Sequence, residues 1–329
     1  MGKHRRNTKY IKYASIAFLV VFLISGALLF VRVWESHQSD FSEQDTDESV
    51  ILYNGTEYVF RDNVETFLVL GLDKFSGDAS ADSYTNDRQA DFLMLFVFDN
   101  DANEYTAIHI NRDTMTDVNV LGVAGQRLDT ELKQIALAHT YGNGKEVSCR
   151  NVADAVSALF CGTKVTHYIS LTMDSVPVLN DLVGGVEVTV EDDFSGIDDT
   201  LVKGETVTLR GEQALTYVRS RKGLDDSTNS TRMNRQRQYL TSLQKKTQQC
   251  IKNDENFIVD ASVKMSEYIV SDRSVTQLQE LGRKFSEYKF VEISSIEGES
   301  KQGERFMEFY PDEDSITQIV TKLFCRPKE

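Results

Sequence analysis

An uncharged segment near the N-terminus constrains the fold of this chain more than any other feature. Residues 14–31 read ASIAFLVVFLISGALLFV, a run of 18 residues without a charged side chain. At about 1.5 Å of rise per residue, a helix of this length spans about 27 Å, which is close to the thickness of the hydrocarbon core of a bilayer. We therefore predict a basic tail over residues 1–12 and a single transmembrane anchor over residues 13–33.

Basic residues that precede the anchor predict its orientation. Five Lys and Arg residues lie before it, and residues 1–33 contain no Asp or Glu. By the positive-inside rule the tail stays in the cytoplasm, and the rest of the chain lies outside the cell membrane. A cleaved signal peptide is the alternative, because Ser25-Gly26-Ala27 resembles a small-residue cleavage site. The apolar run continues past that site to Val31, which favours an uncleaved anchor.

The remainder of the chain, residues 34–329, is strongly acidic. It carries 30 of the 36 Lys and Arg residues and all 51 Asp and Glu residues, which gives a formal charge of −21. A body with this charge repels nucleic acid, so we expect no nucleic-acid partner. Residues 34–64 are polar and acidic, and we predict that they form a stalk between the anchor and one folded domain over residues 65–329.

Strand-like and helix-like patterns interleave along this domain without internal repeats. Their order predicts an α/β fold, a single domain with a central mixed β-sheet flanked by helices. The predicted strands are 66–72, 92–98, 104–111, 167–171, 186–191, 206–209, 215–219 and 288–293. The predicted helices are 131–138, 152–160, 173–182, 232–249, 256–269, 275–288 and 312–324.

Charged residues stand at the ends of the first three predicted strands. Asp73 follows the first, Asp91 precedes the second, and Arg112 and Asp113 follow the third. If these strands form an antiparallel meander, all four residues converge on one edge of the sheet. Carboxylates beside a guanidinium suit a divalent cation that holds a phosphate. The alternative is that these are ordinary polar residues at strand ends.

A cluster of arginines follows within an otherwise acidic body. Residues 217–237 read YVRSRKGLDDSTNSTRMNRQR, and arginine favours bidentate contacts with phosphate. Arg219 and Arg221 share a face if the chain is extended there. Arg232 and Arg235 fall in the first turns of a predicted helix, where a cation is unfavourable unless an anion is bound. Helical spacing places four residues on one face: Arg232, Arg235, Gln236 and Tyr239. A solvated basic face or internal salt bridges are the alternatives.

The cysteines leave the disulfide pattern open. Four cysteines permit two disulfides in three connectivities, and free thiols are equally possible. Cys149 and Cys161 bracket a predicted helix, and twelve residues in helical conformation would separate them by about 18 Å, which is too far for a disulfide. No spacing of Cys and His resembles a metal site.

Ordered motifs resemble the LytR–CpsA–Psr family of glycopolymer–peptidoglycan ligases. The similarity is strongest over residues 65–240 and looser over the helical remainder. The motifs that carry it are ETFLVLGLDKF (65–75), QADFLMLFVFD (89–99), INRDTMTDV (110–118), LNDLVGGVEVTV (179–190), LRGEQALTYVRSR (209–221) and TRMNRQRQYL (231–240).

This resemblance implies an enzyme that transfers a phosphate-linked glycopolymer from a polyprenyl pyrophosphate carrier to peptidoglycan. It also implies a hydrophobic lipid pocket between the sheet and helices, and a Mg²⁺ ion on the pyrophosphate. Carried over by position, Asp73 and Asp91 would hold the metal, and Asp91 or Asp113 would accept the proton of the attacking hydroxyl. The groups implied at the pyrophosphate are Arg112, Arg219, Arg221 and Arg232, with Arg235 and Gln236 in supporting positions.

Three positions depart from the family pattern. Gln89 stands where the family often has Arg, Asn111 replaces a Pro, and Asn229 replaces an acid. The implied metal pair is intact, so we interpret the chain as a variant of the family. Two other functions stay open: a hydrolase of the same lipid pyrophosphate, and a binding, regulatory or wall-adhesion protein without catalysis. The motifs do not specify the glycopolymer, such as teichoic acid or capsular polysaccharide, or the acceptor group.

Overall fold

A computed structural model describes residues 50–73, 87–221, 224 and 229–328 of the chain. Its strands are β1 (Ile51–Tyr53), β2 (Thr56–Phe60), β3 (Val64–Leu72), β4 (Ala90–Asp99), β5 (Glu104–Ile110), β6 (Met115–Leu121), β7 (Arg127–Gln134), β8 (His167–Thr172), β9 (Val186–Thr189), β10 (Thr206–Leu209), β11 (Ile269–Ser271), β12 (Lys289–Ser295), β13 (Gly298–Gln302), β14 (Met307–Pro311) and β15 (Cys325–Pro327). Its α-helices are α1 (Glu146–Leu159), α2 (Ser175–Leu182), α3 (Glu212–Arg219), α4 (Asn229–Asn253), α5 (Phe257–Met265), α6 (Val275–Ser286) and α7 (Glu313–Phe324).

A six-stranded sheet in the order β11-β8-β3-β4-β5-β12 forms the centre of the domain. Strands β3, β4 and β5 pair antiparallel, as the predicted meander requires. Strand β8 runs parallel to β3, and β12 runs parallel to β5. The sheet is therefore mixed, which confirms the predicted α/β fold.

Alternation along β3, β4 and β5 gives the sheet two apolar faces. One face carries Leu68, Leu95 and Ile108, which are fully buried in a core that α1 and α7 complete. We call it the core face. The other carries Phe67 and Phe96 and lies beneath α4, α5 and α6, beside an open cavity. We call it the cavity face.

Two predicted elements are of the wrong type. The predicted strand 215–219 belongs to helix α3, because Ala214, Tyr217 and Val218 are buried at helical spacing. The predicted helix 131–138 instead continues β7, which pairs antiparallel with β6, and then forms a 3₁₀ segment over Ile135–Thr140. Pairing with a neighbouring strand overrides the weak helical pattern of this segment.

The predicted stalk is folded in its described part. Strands β1 and β2 form a hairpin, and β2 also pairs with β15, so the folded domain begins at Ile51 rather than at residue 65. The turn is Asn54-Gly55, with φ of 50° and 78°, a pair that favours two-residue hairpins. The predicted anchor, 13–33, lies outside the described residues. No helix among those described is long and apolar enough to cross a membrane.

All four cysteines are free thiols in the structure. Cys149 lies in the first turn of α1, and Cys161 lies just beyond its end, so the helix separates the two residues as predicted. Burial raises the pKa of the Cys149 thiol to about 12, which keeps it protonated at neutral pH. Cys149 is therefore a core residue rather than a reactive thiol.

Candidate functional site

Strand register brings the predicted charged residues to one edge of the sheet. Leu72, at the end of β3, pairs with Ala90, at the start of β4. The neighbouring strand β5 ends at Ile110, beside Leu93. Asp73 and Asp91 therefore extend from adjacent strands at the edge where the segment after β5 begins.

Arg112 connects the groups at this edge. Its guanidinium forms an ion pair with Asp91 and donates a hydrogen bond to Gln89 Oε1. Its Nε atom lies 3.5 Å from Asp113 Oδ1. Burial lowers the pKa of Arg112, although the neighbouring Asp113 opposes that effect. Gln89 thus orients Arg112 here, at the position where the family often has an arginine.

Asp113 is a partly buried carboxylate with a defined orientation. Burial raises its pKa, and the nearby arginines, of which Arg112 is the strongest, act in the opposite direction. Gln134 Nε2 lies 3.3 Å from its Oδ1 atom and donates a hydrogen bond to it. Sequence reasoning missed Gln134, because it assigned that segment to a helix rather than to the end of β7.

Three further arginines, from α3, the residues after it and α4, lie near this edge. Arg219, the last residue of α3, lies with its Nη2 3.0 Å from Asp73 Oδ1, and both side chains are about half exposed. Arg221 follows it. Burial lowers the pKa of Arg232, in the first turn of α4, to about 10, and the positive charges of Arg112 and Arg221 contribute. Arg112, Arg221 and Arg232 therefore lie close enough for their charges to repel, an arrangement that an anion stabilises.

Two buried donors of this arginine group, the Nε atoms of Arg112 and Arg232, lack a hydrogen-bond partner among the described residues. The Nη2 of Arg232 donates to Asn229 Oδ1 over 2.6 Å, which fixes the plane of the guanidinium. A buried donor without a partner is costly, so Arg232 is arranged to receive an acceptor atom from a ligand.

Two of the three departures from the family pattern contact each other. Asn229 Nδ2 donates to Asn111 Oδ1 over 2.7 Å. The same Asn111 oxygen accepts the backbone N–H of Asp113 at 2.9 Å. This amide pair ties the segment after β5 to the start of α4, and so connects Asp113 to the arginine side of the site.

Arg235 and Gln236 make supporting contacts within the protein, and Arg235 is too deeply buried to contact a pyrophosphate, whereas Gln236 also borders an apolar cavity. The Arg235 side chain is 1% exposed and forms an ion pair with Asp192. Its Nε donates to the Tyr217 carbonyl over 3.1 Å, and Gln236 Nε2 donates to the Val218 carbonyl over 3.2 Å. Both residues lie on the inward face of α4, so they hold the last turn of α3 and thereby position Arg219.

The donor set at the edge fits a divalent cation only if a ligand completes it. No group of three His, Cys, Asp or Glu side chains comes together in the described part of the chain. Mg²⁺ is commonly held by one or two carboxylates together with phosphate oxygens. Asp73 and Asp91 are two carboxylates near this edge, and each is paired with an arginine in the structure.

Apolar space begins directly behind the charged edge. A cavity of about 200 Å³ is lined by Gly71 and Phe92, each within two residues of Asp73 or Asp91. A larger cavity of about 470 Å³ shares part of its wall, including Met94 and Leu243, and continues between the sheet and α4, α5 and α6. A charged mouth with an apolar interior suits an amphiphilic ligand with an anionic head.

Comparisons with known proteins agree with this arrangement. The family model described as LytR_cpsA_psr matches residues 29–324. A relative from Bacillus licheniformis, named polyisoprenyl-teichoic acid–peptidoglycan teichoic acid transferase TagU, is 25% identical over 250 residues, which cover 74% of this chain and 72% of that protein.

Solved structures have the same fold. The crystal structure of B. subtilis TagV matches with a TM-score of 0.60 and 22% identity, over 80% of this chain and 96% of that one. A structure titled TagT bound to LIIa-WTA matches with a TM-score of 0.58 and 22% identity, over 80% of this chain and 90% of that one. At this identity the likeness concerns the fold of the domain, including its mixed central sheet.

Proposed function

The chain belongs to the LytR_cpsA_psr family, and we propose that it is a phosphotransferase that moves a phosphate-linked glycopolymer from a polyprenyl pyrophosphate carrier to peptidoglycan. In this proposal residues 13–33 anchor the protein in the cell membrane, and the folded domain lies on the outer side. The names of its relatives, which include a teichoic acid–peptidoglycan transferase, support the reaction class.

One observation carries the proposal: Asp73, Asp91 and Arg219 each lie within two residues of the lining of an apolar cavity, which includes Gly71, Phe92 and Val218. A polyprenyl pyrophosphate has a matching structure, with two phosphates at the end of a long hydrocarbon chain. The pyrophosphate would lie among Arg112, Arg219, Arg221 and Arg232, and the lipid would extend along the cavity face beneath α4.

The reaction is a phosphoryl transfer. The hydroxyl oxygen of the acceptor attacks the phosphorus that carries the glycopolymer, and the bond from this phosphorus to the polyprenyl phosphate breaks. The hydroxyl proton passes to a carboxylate, and polyprenyl phosphate leaves. Charge develops on the phosphoryl and leaving oxygens, so fixed guanidiniums close to them lower the barrier.

Asp113 is the carboxylate that we assign as the general base. Burial raises its pKa, which makes it a stronger base than an exposed carboxylate, and Gln134 orients it. Arg112 pairs with both carboxylates, but its contact with Asp91 is the closer one and that with Asp113 is the looser one, at 3.5 Å. We assign Asp73 and Asp91 to hold Mg²⁺, which would neutralise charge on the pyrophosphate.

The test is a transfer assay with the full-length chain in detergent. The donor is a short-chain polyprenyl pyrophosphate that carries a sugar, and the acceptor is a peptidoglycan oligomer, with Mg²⁺ or with EDTA. We expect sugar phosphate on the oligomer in the presence of Mg²⁺ only. Free sugar phosphate without transfer would instead assign a hydrolase. Donor binding without turnover would assign a binding protein.

A further inference from the structure

Two surface hairpins hold the segment that contains Arg112 and Asp113. One is β6–β7 with the 3₁₀ residues that follow it, and the other is β13–β14. Three backbone N–H groups donate to three consecutive carbonyls: Ala136 to Arg112 (3.1 Å), Phe309 to Asp113 (2.8 Å) and Ile135 to Thr114 (2.7 Å). Both hairpins are therefore built directly onto the reacting edge.

Gln134 joins the two hairpins at the side chain of Asp113. It lies at the end of β7, and its Nε2 donates to the Met307 carbonyl of β14 over 2.7 Å. The same nitrogen lies 3.3 Å from Asp113 Oδ1. Any molecule that rests on both hairpins next to Gln134 therefore lies next to Asp113.

Both hairpins carry exposed apolar side chains within a few residues of this junction. Leu132 lies two residues before Gln134 on the same face of β7 and is 60% exposed. Phe306, just before β14, and Met307, its first residue, are 67% and 44% exposed. Single exposed apolar residues are ordinary, but a group beside a reactive edge indicates a binding surface. We call Leu132, Phe306 and Met307, with Gln134, the hairpin patch.

The reaction geometry determines which substrate approaches from this side. The attacking and leaving oxygens lie roughly in line through the phosphorus. The leaving group carries the lipid, and the cavity for the lipid lies on the cavity face of the sheet beneath α4. The hairpins lie on the other side, because the side chain of Val118 in β6 is buried in the core that α1 completes. The acceptor hydroxyl therefore comes from the side of the hairpins.

Charge argues against a membrane as the occupant. Residues 115–134 and 298–311 each contain three acidic and two basic residues. Anionic lipid surfaces attract segments with an excess of Lys and Arg, which neither hairpin has. Exposed apolar side chains that alternate with charged ones, as in both hairpins, instead suit a sugar ring, which has apolar C–H faces and a rim of hydroxyls.

We propose that the hairpin patch is the acceptor site, where the glycan strand of peptidoglycan rests its sugar rings against Leu132, Phe306 and Met307. Gln134 is a positioning residue that holds the Asp113 carboxylate towards the acceptor hydroxyl. This inference rests on the proposed function and adds to it the surface that binds the second substrate.

The experiment compares the double variant Leu132→Ser and Phe306→Ser with Val263→Ser, which alters a residue of α5 that is 60% exposed and away from the hairpins. Full-length protein in detergent is sedimented with insoluble peptidoglycan from which attached glycopolymers have been removed.

We expect the double variant to bind the peptidoglycan about tenfold more weakly, a loss of about 1.4 kcal/mol. In the transfer assay its KM for the acceptor should rise by a similar factor while its KM for the donor stays constant. Val263→Ser should match the wild type in both assays.

Three results would overturn the assignment. In the first, the double variant binds peptidoglycan as well as the wild type does. In the second, it changes the KM for the donor and leaves the KM for the acceptor unchanged. In the third, it changes the oligomeric state or the binding to anionic vesicles while acceptor binding persists. Thermal unfolding checks that both variants are folded. A wild type that binds peptidoglycan but does not transfer contradicts the proposed function alone, because the sedimentation assay does not depend on turnover.

Discussion

The two faces of the central sheet are both apolar, but only one of them is filled by the protein itself. On the core face, Leu68, Leu95 and Ile108 are fully buried against aliphatic residues of α1 and α7. On the cavity face, aromatic residues such as Phe67 and Phe96 line about 470 Å³ of open space. A hydrophobic strand pattern thus predicts that a face is covered, but not whether side chains or a ligand cover it.

The difference lies in the helices rather than in the strands. Helix α1 presents Cys149, Val152, Ala153 and Val156 at helical spacing, and all are buried. Helix α4 is longer but much more polar: its C-terminal half reads SLQKKTQQCIKN, and only a few apolar residues, such as Leu240 and Leu243, face the sheet. A helix with so few apolar residues leaves space above the strands, and an apolar ligand can use it.

The largest expected effect concerns the edge where the two faces meet. Arg112→Ala should lower kcat for transfer by about 10²–10³-fold, because it removes a guanidinium that stabilises charge in the transition state. Arg61→Ala is the matched control, since Arg61 pairs with Asp99 over 2.6 Å at the opposite end of β4. Transfer kinetics and thermal unfolding of both variants measure the contrast. Equal losses of activity in both would contradict a role specific to Arg112.

A pair of neighbours on β4 separates the two faces directly. Leu95→Ala, on the core face, should lower the free energy of unfolding by about 2–5 kcal/mol, as expected for a fully buried leucine. Phe96→Ala, on the cavity face, should cost less stability, because the ring already borders open space, and should raise the KM for a long-chain donor. Urea unfolding and donor titration measure both effects. A larger stability loss in the Phe96 variant would show that the cavity face is packed as tightly as the core.

The core side also contains a carboxylate whose pKa burial raises from 3.8 to about 6, Asp154 of α1. The folded state therefore binds a proton that the unfolded chain has lost, and stability falls as pH rises from about 4 to about 6. Asp154→Asn should raise the free energy of unfolding at pH 7 by at most about 3 kcal/mol. The gain should disappear near pH 4. Chemical unfolding at the two pH values tests the sign, and a gain equal at both would refute the linkage.

The smallest expected effect is at the start of α4. Asn229→Asp replaces the donor that contacts Asn111 with a carboxylate beside Arg232. The new charge offsets part of the positive field, so donor binding should weaken severalfold, by about 1 kcal/mol. Donor titration at low and high salt measures the change, with Asn256→Asp at the start of α5 as the control. Tighter donor binding would show that the amide pair does not position the site.

Much of the site could be predicted from the sequence, because the pairing of consecutive strands in a meander depends on nearby residues. Runs of apolar residues fixed β3, β4 and β5, and the antiparallel meander then carried Asp73, Asp91 and Arg112 to one edge. The arginines near α4 were recognised by residue type and by their place at a helix start. The metal assignment remains a prediction, since Asp73 and Asp91 are paired with arginines in the structure.

The parts that sequence reasoning missed depend on partners distant in the chain. Arg235 resembles its neighbour Arg232 in sequence, but it is buried by Asp192 and by carbonyls of α3 that helical spacing alone does not reveal. The β6–β7 hairpin was missed because Leu132 is exposed and the strand lacks a buried stripe of its own. The Asn54-Gly55 pair favours a hairpin, but it lies in the segment that we predicted to be a stalk.

The last strand of the chain pairs with one of the first, and this affects when the protein becomes active during synthesis. β15 pairs with β2, and Phe309 donates its N–H to the carbonyl of Asp113. A nascent chain emerges N-terminus first, so it carries the arginines and carboxylates long before these closing contacts exist. The contacts of this edge are completed only after residue 309 has emerged, and a chain truncated before it lacks the hydrogen bond from Phe309 that holds the backbone of Asp113, the proposed general base.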